Sequence, residues 1–261
     1  MAQAVKDIKM TLEEQLVFNL CNPELRGNAL VELSQTVAAH PLTRAPFLKA
    51  RIPIFVFPFL NTTSEAKSFE HLRVTSLGVI GALAKAEDTK VVKFLLKSEV
   101  IPLCLRIMGT GSELSKTAAT FIVQKIMRDE VGLQHICATP ECFFQVASVL
   151  ANMVIALNEQ PSTRLLKHVI CCYLRLTDDP RAFTAMQTHL PEALRNGTFD
   201  NCLRDDPAAI HFLQQLLDKL ASIVPHPGPH PAAGGAPYPA PGPAAGGSHR
   251  GSSQTGPSHQ P

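Results

Sequence analysis

The feature that most constrains the fold of this chain is a phrase that its sequence repeats. A short apolar segment ending in Phe-Leu and a Lys runs into Ile-Pro, and a second apolar segment follows. The phrase reads FLKARIPIFVFPFL at residues 47–60 and FLLKSEVIPLCLRIM at residues 94–108, with weaker copies further on. Its marker prolines, spaced by 49, 38 and 51 residues, are Pro53, Pro102, Pro140 and Pro191. A unit of this length is typical of armadillo and HEAT-type repeats, which stack into solenoids.

Apolar residues recur mostly at steps of three and four, which predicts helices rather than strands. Even IFVFPFL at residues 54–60 is predicted to be helical, because it contains a proline and occupies a helical place in the repeat. Segments 71–85, 112–127 and 162–176 align with one another, and we expect them to be the inner helices that line the concave face. A last helix at 207–223 is expected to cap the stack. The predicted fold class is all-α, an armadillo-repeat superhelical solenoid.

The last 37 residues differ in composition from the rest of the chain. They contain 10 of the 21 prolines and 8 of the 15 glycines. Such a segment buries too little apolar surface to offset the entropy of ordering it, so we expect it to be disordered. It is either a linker or a proline-rich ligand, although it lacks a PxxP motif with basic flanks. The predicted organisation is an N-terminal lead at 1–10, an armadillo-repeat domain at 11–224 and a disordered Pro/Gly-rich tail at 225–261.

Charge, cysteine content and hydropathy indicate the compartment. The formal net charge is only +2, so the chain is not a polybasic nucleic-acid binder. Its seven cysteines are odd in number and scattered, which fits reduced thiols. We find no signal peptide and no apolar run of membrane-spanning length. We therefore expect a soluble protein of the cytoplasm, present also in the nucleus, with no membrane partner.

The sequence contains no convincing catalytic or metal-binding pattern. The segment GTGSEL lacks the Lys-Ser/Thr pair of a phosphate-binding loop. Cys137 and Cys142 are five apart, and neither this spacing nor the adjacent pair Cys171 and Cys172 suits paired zinc ligands. His168 shares a segment with the latter pair, but no acid that would orient it is evident. We expect no enzymatic activity and no cofactor or metal.

Cationic residues recur on the proposed inner helices. Stacked, they would form a modest basic strip suited to carboxylates, phosphates or the carbonyls of an extended peptide. The alternative that the sequence leaves open is ordinary ion pairing at the surface. Two tyrosines and no tryptophan offer few rings for base stacking, which argues against binding of single-stranded nucleic acid. The candidate strip consists of Arg73, Lys116, Arg164, Lys167, His168 and Arg175.

Four long strings resemble one known family, the required-for-cell-differentiation family. They are HPLTRAPFLKARIPIFVFPFLNT, FEHLRVTSLGVIGAL, EVIPLCLRIMGTGSELSKTAATFIVQKI and STRLLKHVICCYLRLTDDPRA. The family is the armadillo subunit of the CCR-NOT mRNA deadenylase complex, and the resemblance extends over residues 12–220. It implies a non-catalytic adaptor that docks on the large NOT scaffold. Such an adaptor accepts short peptides, some containing tryptophan, from proteins that select mRNAs for deadenylation, decay and translational repression.

The resemblance carries four candidate peptide-binding residues. Gly78 and Thr117 match positions that line a peptide-accepting surface in the family. Arg181 and Ala185 match positions beside pockets that accept tryptophan side chains. The small Gly78 suits such a surface because any side chain there would obstruct a ligand that lies close to the backbone.

The chain departs from the family pattern close to these residues. Pro140 and Cys142 stand where the family typically has Tyr and Arg, so an aromatic wall and a cation able to stack on indole are absent. His71 and Ala118 stand where the family has Tyr and Val. These differences predict weaker binding of tryptophan-containing peptides than the family shows.

The first repeat is shorter than the family pattern. Between ELSQ and VAAHP the family carries about fifty further residues, a segment that contributes to docking on the NOT scaffold. Its absence puts that docking in question. The sequence leaves two alternatives to the adaptor: a scaffold-detached variant that acts as a transcriptional cofactor or decoy, and a nucleic-acid-binding armadillo protein that uses a basic groove.

Overall fold

The computed structural model describes residues 12–39, 52–62, 64 and 66–222. The whole predicted lead at 1–10 and the whole predicted tail at 225–261 lie outside these residues, so the division into domains stays a prediction. Within the described ranges every regular element is helical, as the sequence predicts. The α-helices are α1 (Leu12–Cys21), α2 (Arg26–Ala39), α3 (Phe57–Asn61), α4 (Lys67–Ala84), α5 (Thr89–Leu96), α6 (Val100–Thr110), α7 (Glu113–Arg128), α8 (Glu130–Cys137), α9 (Pro140–Glu159), α10 (Thr163–Leu176), α11 (Pro180–His189), α12 (Asp200–Leu203) and α13 (Pro207–Ala221).

Two of the marker prolines lie in the first turn of an α-helix, and the other two lie in or just before a 3₁₀ turn. Pro102 is in the first turn of α6, and Pro140 is the first residue of α9. Pro53 lies in a 3₁₀ turn at Ile52–Val56 that leads into α3, so the prediction of helix for IFVFPFL is confirmed. Proline suits these places because the first turn of a helix leaves its N–H groups without intrahelical partners.

Short polar side chains set the N-termini of the longer helices. The Ser112 hydroxyl accepts the Ser115 N–H at the start of α7, and the Ser162 hydroxyl accepts the Leu165 N–H at the start of α10. Asp206 accepts the Ala209 N–H at the start of α13. Each cap satisfies an N–H that the helix itself cannot, which fixes where the inner helices begin.

The inner helices form a ladder that runs the length of the described domain. Helix α4 packs against α7 and α7 packs against α10, as predicted for segments 71–85, 112–127 and 162–176. The ladder continues to α2 at one end and to α13 at the other. Apolar side chains between the rungs are fully buried, among them Leu30, Ile80, Ile122, Val169 and Leu216. Burial of this apolar surface is what holds neighbouring units together.

Five arginines donate hydrogen bonds to carbonyls near the C-termini of other helices. These carbonyls have no partner within their own helix, and a cation there also opposes the negative end of the helix dipole. The donor–acceptor pairs are Arg26 to Leu20, Arg106 to Leu60, Arg175 to Met127, Arg181 to Cys137 and Arg195 to Gln187, at 2.5 to 2.9 Å. In three of the pairs the two helices are three apart in the chain, so these hydrogen bonds link neighbouring units.

The first repeat, which the resemblance predicts to be short, contains one continuous helix. The place where the resemblance implies additional residues falls next to Gln35, in the second half of α2. The buried face of α2 continues through it without a break, with Leu30 and Leu33 before it and Val37 after it, all at helical spacing. The helix therefore takes its place as the first rung of the ladder.

Helix α9 corrects one expectation from the sequence. Its 20 residues are long and apolar enough to cross a membrane by length and composition, whereas no run of that kind was expected. In the fold α9 packs against α6, α8 and α10. Six of its side chains, including Phe143, Leu150 and Val154, are buried there. About a third of its apolar window is buried in this packing.

Candidate peptide-binding groove

An open groove of about 370 Å³ crosses the inner helices from α4 to α10. Hereafter "the groove" means the surface formed by its lining residues. They are Ala38 of α2; Leu77, Gly78, Gly81, Ala82 and Lys85 of α4 and the turn after it; Leu114, Thr117, Ala118 and Phe121 of α7; and Arg164 and His168 of α10.

The floor of the groove consists of small side chains from two neighbouring helices. Gly78 and Thr117, both identified from the sequence, lie in it with Ala82 and Ala118. A Cβ atom built on Gly78 would meet only Ser34, at 3.4 Å from its Oγ, so the backbone there is open to a ligand. The Thr117 hydroxyl donates to the Glu113 carbonyl at 2.7 Å and is satisfied within its own helix. This floor suits an apolar side chain or a peptide backbone.

The rim of the groove carries positive charge and no carboxylate. Lys85 and Arg164 contribute cationic side chains, and within the described part of the chain neither pairs with a carboxylate. A ligand carboxylate placed at this rim would meet complementary charge without displacing an existing ion pair.

His168 lies in the groove as a neutral imidazole. Its Nδ1 is 2.7 Å from the Gln124 Oε1, and its ring packs edge-on against Phe121 with centroids 5.6 Å apart. Burial lowers the pKa of His168 to about 4, and the nearby charges of Arg164, Lys167 and Lys125 act in the same direction. A proton on this ring would lose water and meet three cations, so the ring stays neutral at physiological pH.

This burial predicts a stability that depends on pH. His168 titrates at about 4 when folded and at 6.5 when unfolded, so only the unfolded chain takes up this proton between those values. The free energy of unfolding should therefore fall by about 1 to 2 kcal/mol between about pH 7 and pH 5 on account of His168. Urea denaturation at both pH values should show that the free energy of unfolding changes less with pH in His168→Gln than in the wild-type protein. An equal change in the two proteins would contradict the assignment.

Three of the other proposed cations are engaged inside the domain and do not join the groove. Arg73 is buried and binds Glu70 and the Thr62 and Ser64 carbonyls, so it secures the turn before α4. Lys167 pairs with Asp206 at 2.9 Å. Arg175 binds the Met127 carbonyl, Glu130 and Asp178. These three residues therefore fit the alternative given by the sequence, ion pairing within the protein, rather than a basic strip.

Lys116 faces a different cleft. It lines a cavity of about 350 Å³ between the starts of α7 and α10 and the end of α9, together with Glu113, Met153 and Ser162. The continuous basic strip expected from the sequence is therefore not formed. Of its six members, only Arg164 and His168 lie in the groove.

Arg181 and Ala185 lie together on α11, apart from the groove. The Arg181 Nη2 donates to the Cys137 carbonyl at 2.5 Å, which ties α11 to the end of α8. Ala185 is buried in the core with 8% of its surface exposed. The half-buried Cys142 lies in the first turn of α9, where its N–H donates to the Thr139 hydroxyl. Where the resemblance implies an arginine, this chain has the short thiol side chain of Cys142.

The cysteines do not form a reactive pair with His168. Burial raises the pKa of Cys104 and of Cys137 to about 12, and it raises the pKa of Cys171 and of Cys172. The His168 Nδ1 pairs with Gln124 instead of a thiol. Throughout the described ranges, no group of three His, Cys, Asp or Glu side chains is placed to hold a metal ion.

Several groove residues were missed by the sequence interpretation although a signal was present. On α7, Leu114, Thr117, Ala118 and Phe121 follow the spacing i, i+3, i+4, i+7. The residues Gly78, Gly81, Ala82 and Lys85 repeat the same spacing around α4. One face of a helix carries this spacing, so starting from Gly78 and Thr117 would have identified Lys85 and Phe121.

Known proteins similar to this chain include members of one family. A family model described as "Cell differentiation family, Rcd1-like" matches residues 14–220. "Cell differentiation protein rcd1" of Schizosaccharomyces pombe is 58% identical over 196 residues, covering 75% of this chain and 69% of that protein. "Protein CAF40" of Saccharomyces cerevisiae is 56% identical over 191 residues, covering 73% of this chain and 51% of that protein. The chain thus spans about half the length of the second relative.

Solved structures with a similar fold are armadillo and engineered proteins. A designed armadillo repeat protein in complex with the peptide (KR)4 has a TM-score of 0.55 at 14% identity and covers 80% of this chain and 100% of its own. An engineered protein has a TM-score of 0.56 at 10% identity, with coverage of 81% and 99%. At this identity the likeness concerns the fold alone, which is an armadillo-repeat solenoid.

Proposed function

This chain belongs to the Rcd1-like cell differentiation family, and on that premise we propose that it is a non-catalytic adaptor. It binds short peptides of mRNA-regulatory proteins in the groove and links them to deadenylation, mRNA decay and translational repression by the CCR-NOT complex. Its proposed places of action are the cytoplasm and the nucleus. The observation that carries the proposal is a groove with a floor of small residues, a cationic rim and no carboxylate among its lining residues.

The groove favours a peptide of defined chemistry. An apolar side chain fits over Gly78, Ala82 and Ala118, where little protrudes from the backbone. An acidic residue nearby would reach Lys85 or Arg164. Binding would then combine burial of apolar surface with a charge-assisted contact at the rim.

Filling the groove should weaken this binding. A phage-displayed library of random peptides, selected on the wild-type chain, supplies the probe. We expect Gly78→Leu to weaken the selected peptides by at least about tenfold, or about 1.4 kcal/mol, because the new side chain occupies the floor. Isothermal titration calorimetry measures the affinities.

The matched control is Gly109→Leu. A Cβ atom at Gly109 meets nothing within 4 Å, and this exposed residue lies outside the groove. It should leave both affinity and stability nearly unchanged. Peptides that bind Gly78→Leu as tightly as wild type would show that they do not use the groove.

The site near Arg181 predicts a second binding property. Because Pro140 and Cys142 replace a family Tyr and Arg, a tryptophan-containing peptide should bind this chain weakly. We expect the double variant Pro140→Tyr/Cys142→Arg to raise that affinity by about tenfold. Fluorescence titration of the peptide checks this well, since the chain itself contains no tryptophan. Equal affinities before and after the substitution would overturn the proposed cause.

The first repeat, which is predicted to be short, bears on whether the chain docks on the large NOT scaffold. The continuous α2 favours a second candidate, a scaffold-detached variant that binds the same peptides as a decoy or transcriptional cofactor. A pull-down with the purified scaffold fragment separates the two: retention supports the adaptor, and loss with intact peptide binding supports the detached variant.

The nucleic-acid alternative is not favoured by the geometry. Arg73, Lys167 and Arg175 are already engaged with protein groups, and Lys116 lies in a separate cleft. Nucleic-acid binding would require several unpaired cations on one surface.

A further inference from the structure

The ring of His168 is held in one orientation at the wall of the groove. Phe121 meets it edge-on, with 72° between the ring planes, and the Gln124 side chain binds its Nδ1 at 2.7 Å. The ring is half-buried and lines the same surface as Gly78 and Thr117. A ligand that fills the groove therefore meets an imidazole whose position is fixed before binding.

The partner of Nδ1 determines which nitrogen carries the proton. The Gln124 Oε1 is a carbonyl oxygen and can only accept, so Nδ1 must donate and must hold the N–H. A neutral imidazole has one N–H, and the other nitrogen, Nε2, is then an acceptor with a free lone pair. Among the residues that the structure describes, no protein group hydrogen-bonds to Nε2.

We propose that His168 is a specificity-determining residue of the groove, because its Nε2 selects peptides that present an N–H or O–H donor at that point. Gln124 is its positioning residue, since it fixes the tautomer without lining the groove. The proposal rests on the proposed peptide-binding function. A peptide that buries an acceptor against Nε2 leaves two lone pairs facing each other and is rejected, whereas a donor is paired.

The cations around the ring reinforce this selection. Arg164 lies one helical turn before His168, and Lys125 and Lys167 lie nearby. Together with burial they disfavour a second proton, which would convert Nε2 from acceptor to donor. The same ligand must therefore place an anionic group at Arg164 and a hydrogen-bond donor at His168.

The tautomer can be measured without any ligand. Nitrogen-15 NMR of the full chain, correlating ring protons with both ring nitrogens, should show His168 with a protonated Nδ1 and an unprotonated Nε2 at neutral pH. Gln124→Leu removes the acceptor and should yield a mixture of tautomers. A protonated Nε2 in the wild-type protein would overturn the proposal.

The consequence for binding uses peptides selected on the wild-type chain from the phage-displayed random library. His168→Phe keeps a ring of similar size but has no acceptor, and we expect it to lower their affinity about tenfold. His168→Gln supplies an amide oxygen and should recover most of that loss. Gln124→Leu should weaken binding less than His168→Phe, since part of its population keeps the acceptor.

The outcomes separate this inference from the function on which it rests. Peptides that Gly78→Leu excludes but His168→Phe binds unchanged would overturn the inference and leave the proposed function standing. A selection that returns no peptide excluded by Gly78→Leu would overturn both. Loss in both His168→Phe and His168→Gln, with normal thermal stability, would show that ring packing rather than the acceptor matters and would also overturn the inference.

Discussion

Gly132→Ala is expected to destabilise the domain by more than about 3 kcal/mol, a large share of the roughly 5 to 15 kcal/mol by which folded domains are usually stable. Gly132 is buried in α8, where this helix turns back against the last turn of α7. A Cβ atom there would lie 1.8 Å from the Ile126 carbonyl oxygen and 2.6 Å from its carbon. These are backbone atoms, so only a displacement of α8 relative to α7 relieves the overlap.

Gly81→Ala is the matched control for this prediction. Gly81 is also buried and helical, but a Cβ atom there would meet only the Phe121 ring and the Ile122 side chain, at 3.7 and 3.8 Å, which is ordinary contact. Alanine should be neutral there or stabilise by up to about 1 kcal/mol, because it favours the helix. Urea denaturation of both variants measures the contrast. Equal stability of the two would contradict the role of Gly132 as a close-approach residue.

The second large effect is expected for Arg175→Met, at about 2 to 3 kcal/mol. The Arg175 Nε donates to the Met127 carbonyl at 2.9 Å, and its other nitrogens bind Glu130 at 2.9 Å and Asp178 at 2.6 Å. One planar guanidinium thus connects the end of α7, the start of α8 and the end of α10. Methionine retains the apolar stem but leaves a helix carbonyl and two carboxylates without this partner.

Arg128→Met tests whether any lost ion pair would have the same effect. Arg128 pairs with Glu87 at 2.9 Å, but its side chain is 64% exposed. Such a pair is screened by solvent, so its removal should cost less than about 1 kcal/mol. Thermal and urea denaturation at low and high salt would distinguish the two arginines. A loss for Arg175→Met no larger than that for Arg128→Met would refute the bridging role.

The sequence predicts those features of this protein that depend on local pattern. The marker prolines, the glycines at 109 and 111 and the capping Ser112 all act within a single turn, so the predicted inner helices agree with the observed ones to within a few residues. The membership of Gly78 and Thr117 in a common groove followed from the resemblance and agrees with where the structure places them.

The cationic residues show why the rest could not be predicted. Lys167 pairs with Asp206, which lies 39 residues later in the chain. Arg175 binds the Met127 carbonyl, which lies 48 residues earlier. Each partner lies one repeat distant, and nothing in the sequence near the cation indicates it. Spacing along one helix shows which side chains share a face, but it does not show which faces are occupied by the next unit.

The continuous α2 has a consequence for how function is distributed along the chain. Ser34 contacts the position of Gly78 and Ala38 lines the groove, so residues on both sides of Gln35 contribute to the groove. The groove is thus continuous across the place in α2 where the resemblance implies additional residues. Under the function proposed above, peptide binding would therefore need none of the residues that the resemblance implies to be absent here.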